Sequence, residues 1–428
     1  VAYDVRRSSG TVTVIDRRHA NIWRPIDGRT RGWALVPHNY YSNSASGADG
    51  PDDVTLTVRP RDIEVVTGAG AARPCLALSM VPCRTGSHLS GLAADVPTGA
   101  MIGILWDNGT NRNVLVKHFT VAEVGADPYL DIGNWDDPDN GSAVNVVTAA
   151  GIQDMCLLAL PSARGNTHLC LYIDTNGDLF GKFSTDNGGS WGSQFTVWAP
   201  SSTDTVSRVS AVLTRMGRIV VACAYNTGNR IRYIYSDDYG NNWLTNTNAG
   251  FSSTATGVEA VDLSIVEDDR GNLWTVAAVA ATNGLRLYRG QAENNPVADT
   301  TEAASGWVVG PENDELSRIE AIAMPNGVIG VLHSMTEASG TTNQLNFIQV
   351  VRNHPVHHQP LVLAPVSNNT QNGVVVACTV GLMASGYLHV AYANPYTTSG
   401  GTVYNLEVRT HLYAPTEIPR IGAFFGGL

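Results

Sequence analysis

Residues 184–191 read STDNGGSW, and residues 236–243 read SDDYGNNW. Both octets fit the pattern S-x-D-x-G-x-x-W, and their first residues are 52 positions apart (184 and 236). A polar segment that recurs with the same internal spacing indicates a structural repeat rather than a single reactive loop. The shared positions are Ser184, Asp186, Gly188 and Trp191 in the first octet and Ser236, Asp238, Gly240 and Trp243 in the second.

The residue types of the octets suit a tight turn. An aspartate side chain accepts hydrogen bonds from backbone N–H groups that follow it, and glycine adopts positive φ without steric cost. The serine bonds back across the turn, and the tryptophan offers a large apolar surface for packing. We therefore predict that each octet closes a β-hairpin and packs it against a neighbouring element.

Apolar runs typical of β-strands recur along the chain in six units of three runs each. The second runs are apolar at nearly every position, which is typical of strands covered on both faces. Each octet directly follows a third run. The first runs start near residues 75, 155, 208, 261, 318 and 374, the second near 101, 168, 218, 273, 328 and 387, and the third near 114, 179, 231, 285, 344 and 403.

Six small sheets of this kind predict an all-β fold in which the sheets stack around an axis. One small sheet cannot bury both of its faces alone, whereas a ring of sheets buries both faces of each. We expect a six-bladed β-propeller over residues 71–428, with seven blades as the alternative. Residues 1–70 form a short N-terminal extension, which is a separate anchor, completes the last blade or builds a seventh.

The two octets resemble the Asp boxes, or BNR repeats, of the sialidase-like superfamily. LDIGNW at 130–135 and SGW at 305–307 are interpreted as eroded copies. In that superfamily the boxes lie at the turn between the third and fourth strands, away from the catalytic centre. The resemblance therefore implies the propeller fold and says little about chemistry, which must be sought at the inner ends of the blades.

The enzymes of the superfamily bind a sugar carboxylate with three arginines, and the planar guanidinium group suits that role. Arg73, in ARPCLAL, occupies a position similar to the first of these arginines, although the isoleucine of the family motif is missing. Arg208 and Arg318 begin the first runs of the third and fifth units. The hypothesis is that the three converge as an anion clamp; the alternative is three ordinary strand-end arginines on a channel rim.

The catalytic residues of such an enzyme are not identified by the sequence. The family uses a tyrosine paired with a glutamate as nucleophile and an aspartate as acid/base. Glu259, Asp262 and Asp154 begin first runs and are candidate acids, but the sixth unit begins without a tyrosine. Tyr404, in the third run of that unit, is only a weak candidate, so the sequence favours a protein that binds without catalysis.

No cofactor or metal is expected. The six cysteines include no C-x-x-C pair, which argues against a zinc site, and we interpret them as buried core residues. An alternative is that Cys156 and Cys170 face each other across neighbouring strands. The histidines of NHPVHHQP at 353–360 suit a metal or a catalytic base, or simply a surface loop.

Charge and hydropathy restrict the partners. The net charge of −11 argues against nucleic acid, and no apolar run reaches the length of a membrane span. Residues 1–31 hold seven arginines and three aspartates, so this basic segment is predicted to dock onto an acidic partner, or to be a solvated arm. The apolar end GAFFGGL either packs under the last blade or contributes to a homo-oligomer.

Taken together, these features predict a non-catalytic sialidase-like propeller that serves as a glycan- or protein-binding module. An extracellular or virion-surface location, for example in a tail fibre or a cell-surface protein, fits this prediction. The alternative is a glycoside hydrolase of sialidase type or a related polysaccharide-cleaving propeller.

Overall fold

The computed structural model describes the chain in segments, and all regular secondary structure in them is β-strand. Arg73, Glu259, His357, His358 and the C-terminal GAFFGGL lie outside these segments. Among the described residues, no helix is long and apolar enough to cross a membrane. The described residues are 3–8, 11–16, 63–66, 75–83, 99–107, 109–124, 127–131, 143–161, 165, 167–200, 204–225, 230–244, 254–256, 260–268, 270–279, 284–291, 307–309, 315–324, 328–336, 343–351, 354–356, 377–382, 388–398 and 401–411.

Three strands precede the repeat. The first two form an antiparallel hairpin, and the third joins a sheet from the far end of the chain, as described below. They are β1 (Tyr3–Ser8), β2 (Thr11–Asp16) and β3 (Ile63–Val66).

The first three sheets of the repeat follow in chain order and are antiparallel throughout. The first sheet contains β4 (Cys75–Cys83), β5 (Gly99–Asp107), β6 (Arg112–Val124) and β7 (Asp127–Asp131), and β8 (Val144–Ala149) also pairs with β6. The second sheet contains β9 (Asp154–Ala159), β10 (His168–Ile173), β11 (Leu179–Ser184) and β12 (Phe195–Trp198). The third contains β13 (Val206–Leu213), β14 (Ile219–Tyr225), β15 (Arg230–Ser236) and β16 (Thr254–Thr256).

The remaining three sheets repeat this arrangement, again with antiparallel pairing. The fourth sheet contains β17 (Ala260–Glu267), β18 (Asn272–Val279), β19 (Gly284–Gln291) and β20 (Trp307–Val309). The fifth contains β21 (Glu315–Met324), β22 (Val328–Thr336), β23 (Asn343–Val351) and β24 (His354–Val356). The sixth contains β25 (Ala377–Leu382), β26 (Leu388–Thr398), β27 (Gly401–His411) and β3.

The sixth sheet obtains its fourth strand from the N-terminal region. β3 pairs antiparallel with β27, with Val66 opposite Asn405 and Ile63 opposite Val408. The first strands of the sheets also contact one another in a closed circuit, from β4 through β9, β13, β17, β21 and β25 back to β4. Completion of the last sheet is one of the three roles that the sequence left open for residues 1–70.

The core lies between neighbouring sheets, and the second strand of a sheet contributes to two cores at once. In β10, Leu169, Leu171 and Ile173 pack toward the third sheet, whereas Cys170 and Tyr172 pack toward the first. β14 and β18 alternate in the same way between their two neighbours. The prediction that the second runs are covered on both faces is therefore confirmed in these strands.

The cysteines of the second sheet do not face each other. In the register of β9 and β10, Cys156 lies opposite Leu171 and Cys170 lies opposite Leu157. Cys156 and Cys170 belong to the cores on opposite faces of the sheet, and both are free and buried. The idea that they are cross-strand partners is wrong because their side chains point in opposite directions from adjacent strands.

Neighbouring first strands are joined by hydrogen bonds from a backbone N–H of one to a side chain of the other. Sequence separations of 55 residues or more make these bonds long-range, and they join five of the six neighbouring pairs in the described part. They run from Leu157 N to Ser79 Oγ, Val209 N to Asp154 Oδ2, Ile265 N to Ser210 Oγ, Ile319 N to Asp262 Oδ2, Ala321 N to Ser264 Oγ and Met80 N to Thr379 Oγ1, at 2.9–3.1 Å.

The two octets form nearly identical turns after the third strands β11 and β15. In the first, the Gly188 N–H donates to Ser184 Oγ at 2.7 Å, and the Ser190 N–H donates to Asp186 Oδ1 at 2.8 Å. In the second, Gly240 and Asn242 make the same bonds at the same distances. Gly188 and Gly240 have φ of 82° and 92°, so the glycine is required by the backbone.

The octet tryptophans pack between sheets, as the residue types predict. Trp191 lies against the core shared by the first and second sheets, and Trp243 lies against the core shared by the second and third. Partial burial alone would raise the pKa of Asp186 and Asp238, but the hydrogen bonds that each carboxylate accepts outweigh it and hold the pKa below 3.8.

We expect Asp238→Ala to lower the free energy of unfolding by about 1–3 kcal/mol, because the Asn242 and Ser236 groups that it binds lose their partner. Chemical denaturation measures the change. The matched control is Asp237→Ala in the same turn, since Asp237 is half exposed and pairs with Arg218 at the surface. Asp237 accepts two hydrogen bonds from Arg218, but an exposed pair contributes at most about 1 kcal/mol, so that variant should lose less stability than Asp238→Ala. Equal losses in the two variants would contradict the structural role of Asp238.

Candidate functional site

The first strands of the six sheets surround a cavity of about 870 Å³. Its lining contains residues from β4, β9, β13, β17, β21 and β25, together with the turns that follow β13 and β17. Most of the lining is apolar, and its charged groups form two clusters, one at the end where the first strands begin and one at the opposite end. We call this cavity the channel.

β-bulges mark the beginning of four first strands. The register shifts between Cys75 and Ala77, between Val206 and Arg208, between Ala260 and Asp262, and between Leu316 and Arg318. A bulge adds one residue and redirects the side chain that follows it. Ala77, Arg208, Asp262 and Arg318 therefore occupy equivalent places in their sheets.

The hydrogen bonds between first strands align these positions into two layers. The entrance layer contains the residues at or just after the bulges, and the second layer contains the residues two positions later, on the same face of each strand. The entrance layer is Ala77, Asp154, Arg208, Asp262, Arg318 and Ala377, and the second layer is Ser79, Cys156, Ser210, Ser264, Glu320 and Thr379.

Arg208 is held by backbone carbonyl groups at the entrance layer. Its Nε donates to the carbonyl of Val261 at 3.0 Å, and its Nη1 donates to the carbonyl of Ser207 at 2.8 Å. Both acceptors are bulge residues, on the neighbouring sheet and on its own. Nε also lies 3.8 Å from Asp262 Oδ1, and the side chain is about one quarter exposed (23%).

Arg318 reaches from the fifth sheet to the first. Its Nη2 donates to the carbonyl of Leu76 at 2.9 Å, and its Nη1 lies 3.9 Å from Asp262 Oδ1. The residue at the equivalent position of the intervening sixth sheet is Ala377, whose small side chain leaves room for this span. Ser334 Oγ accepts the backbone N–H of Arg318 at 2.9 Å and fixes the start of the side chain.

Asp262 lies between the two arginines. Its Oδ2 accepts the Ile319 N–H at 2.9 Å, and its Oδ1 is 3.8 Å from Arg208 and 3.9 Å from Arg318. Both distances are longer than a hydrogen bond, so the Asp262 oxygen offsets the charge of both guanidinium groups without accepting a hydrogen bond from either at these distances. Charge-assisted binding of a further anion by this pair is chemically reasonable.

Two further carboxyl groups lie near the arginines and have unusual pKa values. Burial raises the pKa of Asp154 to about 6, against the opposing influence of Arg208. Burial, followed by the negative charge of Asp262, raises the pKa of Glu320 to about 8, although Ser264 Oγ donates to Glu320 Oε1 at 3.3 Å. Titratable groups perturbed in this way inside a cavity are typical of functional sites.

The structure brings together four of the residues singled out in the sequence: Arg208, Arg318, Asp262 and Asp154. Tyr404 is not on a first strand. It lies on β27, the third strand of the sixth sheet, and pairs with Pro395 on β26, which separates it from the first strand β25. None of the six first strands carries a tyrosine. The octets lie at the opposite end of their sheets, because Ser184 pairs with His168, far from the pair of Asp154 and Ile173.

Sequence reasoning missed Glu320 and the serines of the second layer. Glu320 follows Arg318 by two residues in the same run, and Ser210 and Ser264 follow Arg208 and Asp262 by the same interval. The sequence signal that could have found them is a pair of polar residues two positions apart at the start of an otherwise apolar strand, because residues two positions apart lie on the same face of the strand.

Comparison with known proteins supports the fold alone. No family model matches the chain, and no curated protein matches its sequence. A solved structure of a protein of unknown function from Dyadobacter fermentans is 11% identical, with a TM-score of 0.51 over 83% of this chain and 99% of that chain. At this identity and TM-score the two proteins share a fold, and nothing about activity follows.

Other solved structures that resemble the chain more weakly include carbohydrate-binding and carbohydrate-cleaving proteins. A lectin from Aleuria aurantia in complex with a fucosylated disaccharide is 10% identical, with a TM-score of 0.43 over 80% of this chain and 99% of that chain. A Hadza microbial sialidase is 13% identical, with a TM-score of 0.37 over 70% of this chain and 64% of that chain.

We expect the stability of the fold to depend on pH through Glu320. The folded protein holds this proton more tightly than the unfolded chain, so the free energy of unfolding falls as the pH rises from about 4.5 to about 8. Glu320→Gln cannot ionise, and it should be more stable than wild type by about 1–3 kcal/mol at pH 8 and similar at pH 4.5. Urea denaturation across this pH range measures the difference.

Asp237→Asn is the control for this experiment, because Asp237 is half exposed and lies outside the channel lining. It should leave the pH dependence of unfolding unchanged. If Glu320→Gln shows the same decline in stability between pH 4.5 and pH 8 as wild type, Glu320 is not the group responsible.

Proposed function

We propose that the chain is a six-bladed β-propeller that binds an acidic glycan at the arginine end of its channel without cleaving it. The single observation that carries the proposal is the convergence of Arg208 and Arg318 on one oxygen of Asp262, at 3.8 and 3.9 Å. Six sheets in a closed circuit, the last one completed by β3, support the blade number. The division into an extension at 1–70 and a propeller at 71–428 belongs to the same proposal.

The arginine pair suits a carboxylate ligand. Each guanidinium group is oriented by a backbone carbonyl, Val261 for Arg208 and Leu76 for Arg318, so little side-chain entropy is lost on binding. Both side chains are partly exposed, at 23% and 16%. In the sequence, Arg73 stands two residues before the first residue of β4, and we propose that it is a third arginine that binds the ligand.

Binding without catalysis is favoured over sialidase activity by the residue content of the first strands. A sialidase mechanism needs a tyrosine nucleophile beside the arginines, and the described first strands offer none. The alternative, a glycoside hydrolase that uses the carboxyl groups of Asp154, Asp262 or Glu259, is kept because perturbed carboxyl groups lie in the channel. A protein ligand with an exposed acidic group suits the same pair of arginines.

A surface or extracellular role, including a virion or tail-fibre protein, is part of the proposal and follows from glycan binding. The seven arginines of residues 1–31 would then anchor the module to an acidic partner. Homo-oligomerisation is a further proposal, with the apolar C-terminal segment as one contact.

We expect Arg208→Ala and Arg318→Ala each to weaken binding of sialylated or uronate-containing glycans at least about tenfold, because each removes a charge-assisted hydrogen bond. Screening of wild type on a glycan array and titration of the best acidic glycan measure the loss. Arg270→Ala, which removes an exposed arginine from the turn after β17, should bind as wild type does. A thermal melt of each variant shows that it is folded.

Hydrolysis of a fluorogenic sialoside distinguishes the alternative. The proposal predicts no turnover above the rate of a heat-denatured sample. Turnover that disappears in Asp262→Asn would overturn the non-catalytic proposal, and equal binding of neutral and acidic glycans would overturn the role of the arginines.

A further inference from the structure

Five ionisable side chains from four different sheets cluster at the arginine end of the channel: four belong to its lining, and Arg208 lies beside them, 3.8 Å from Asp262. Asp154 lies on β9, Arg208 on β13, Asp262 on β17, and Arg318 and Glu320 on β21. Two of the five are cationic and three are carboxyl groups. With every carboxyl group ionised the formal charge of the cluster is −1, and with Asp154 and Glu320 protonated it is +1.

The three carboxyl groups have different surroundings. Asp262 is next to both arginines and also accepts a backbone N–H. Asp154 is buried, and the contact that orients its Oδ2 is the Val209 N–H at 2.9 Å. Glu320 accepts a hydrogen bond from Ser264 Oγ, one layer further along the channel. The ion pairs described within 4 Å of the two guanidinium groups are both with Asp262, and the more distant charge of Arg208 only partly offsets the effect of burial on the pKa of Asp154.

The other titratable groups around Asp154 and Glu320 do not compensate these charges. The thiols of the neighbouring strands are held neutral, since burial raises the pKa of each of them well above physiological pH. Arg215, Glu267 and Asp268 line the opposite end of the channel. The thiols are Cys75 on β4, Cys156 on β9, Cys223 on β14 and Cys378 on β25.

We propose that the arginine pair binds its anionic ligand together with protons that are taken up by Asp154 and Glu320. This inference rests on the proposed function. A carboxylate that enters between Arg208 and Arg318 adds a negative charge to a cluster that already holds three carboxyl groups. In a cavity of low dielectric constant this repulsion is removed most readily by protonation of Asp154 and Glu320, since the ion pairs that the two arginines make within 4 Å are with Asp262.

The direction of the coupling follows from the charges. The ligand is held most tightly at acid pH, where the cluster is positive, and it is released as the pH rises and the cluster becomes negative. The raised pKa values of Asp154, about 6, and Glu320, about 8, place the change in the range from pH 5.5 to pH 8.5. If the ligand raises each pKa by one unit, its affinity changes roughly tenfold for each group.

The test is calorimetric titration of the full chain with N-acetylneuraminic acid, whose carboxylate stays charged throughout this range. At pH 5.5 and pH 8.5 the dissociation constants should differ at least about tenfold, with the weaker binding at pH 8.5. At pH 7, two buffers of different ionisation enthalpy should reveal net proton uptake on binding. The double variant Asp154→Asn with Glu320→Gln should bind with little pH dependence and take up no protons.

The controls separate this inference from the proposed function. Asp237→Asn should keep the pH dependence of binding that wild type shows. Binding of lactose, which has no carboxylate, should not depend on pH. Equal wild-type affinities at the two pH values, or undiminished proton uptake in the double variant, would overturn the proton coupling and leave the glycan-binding proposal standing. Absence of binding at pH 5.5, or binding that survives Arg208→Ala and Arg318→Ala together, would overturn both.

Discussion

When the second strand of a sheet is apolar on both faces, the sheet needs a covering layer on each side. In β10, β14 and β18 consecutive residues alternate between two separate cores, so the three sheets that contain them are not stable as isolated units. A closed circuit of sheets satisfies this requirement for every member, whereas an open stack leaves two faces exposed. The pairing of β3 with β27 joins the two ends of the chain in one sheet and so protects the point where the circuit closes.

Closure brings the six first strands together, where neighbouring backbones belong to different sheets. Their backbone N–H groups find acceptors in serine, threonine and aspartate side chains of the adjacent strand. The same constraint that satisfies buried donors thus places polar and charged groups in the channel. Asp154 and Asp262 serve as acceptors in these bonds, so part of the charge in the proposed binding site also stabilises the fold.

This double role has a cost in stability. Asp154 is buried and Glu320 is partly buried where ionisation is unfavourable, and a core of apolar side chains would be more stable at neutral pH. The bulges before Arg208, Asp262 and Arg318 likewise interrupt regular pairing and redirect these side chains. Buried charge and irregular pairing in the same few residues are typical of a site shaped by function.

Much of the fold was predictable because hydrophobic runs and turn residues are local signals. The first, second and third strands, the turns at 184–191 and 236–243, and the positions of Arg208 and Arg318 on first strands were all predicted from the sequence. The fourth strands were not, since β16, β20 and β24 have only three residues each. The bonds between first strands, and the contact of Glu320 with Ser264 on another sheet, were missed because they depend on the register of strands some 55 residues apart, which single-sequence patterns do not encode.

The central claim is that Arg208 and Arg318 form one anion site across the channel. A crystal structure of the protein soaked at pH 5.5 with N-acetylneuraminic acid tests it most directly. We expect the ligand carboxylate within hydrogen-bond distance of both guanidinium groups, at the entrance layer and beside Asp262. A ligand bound elsewhere, with both arginines still engaged by Val261, Ser207, Leu76 and Asp262, would contradict it.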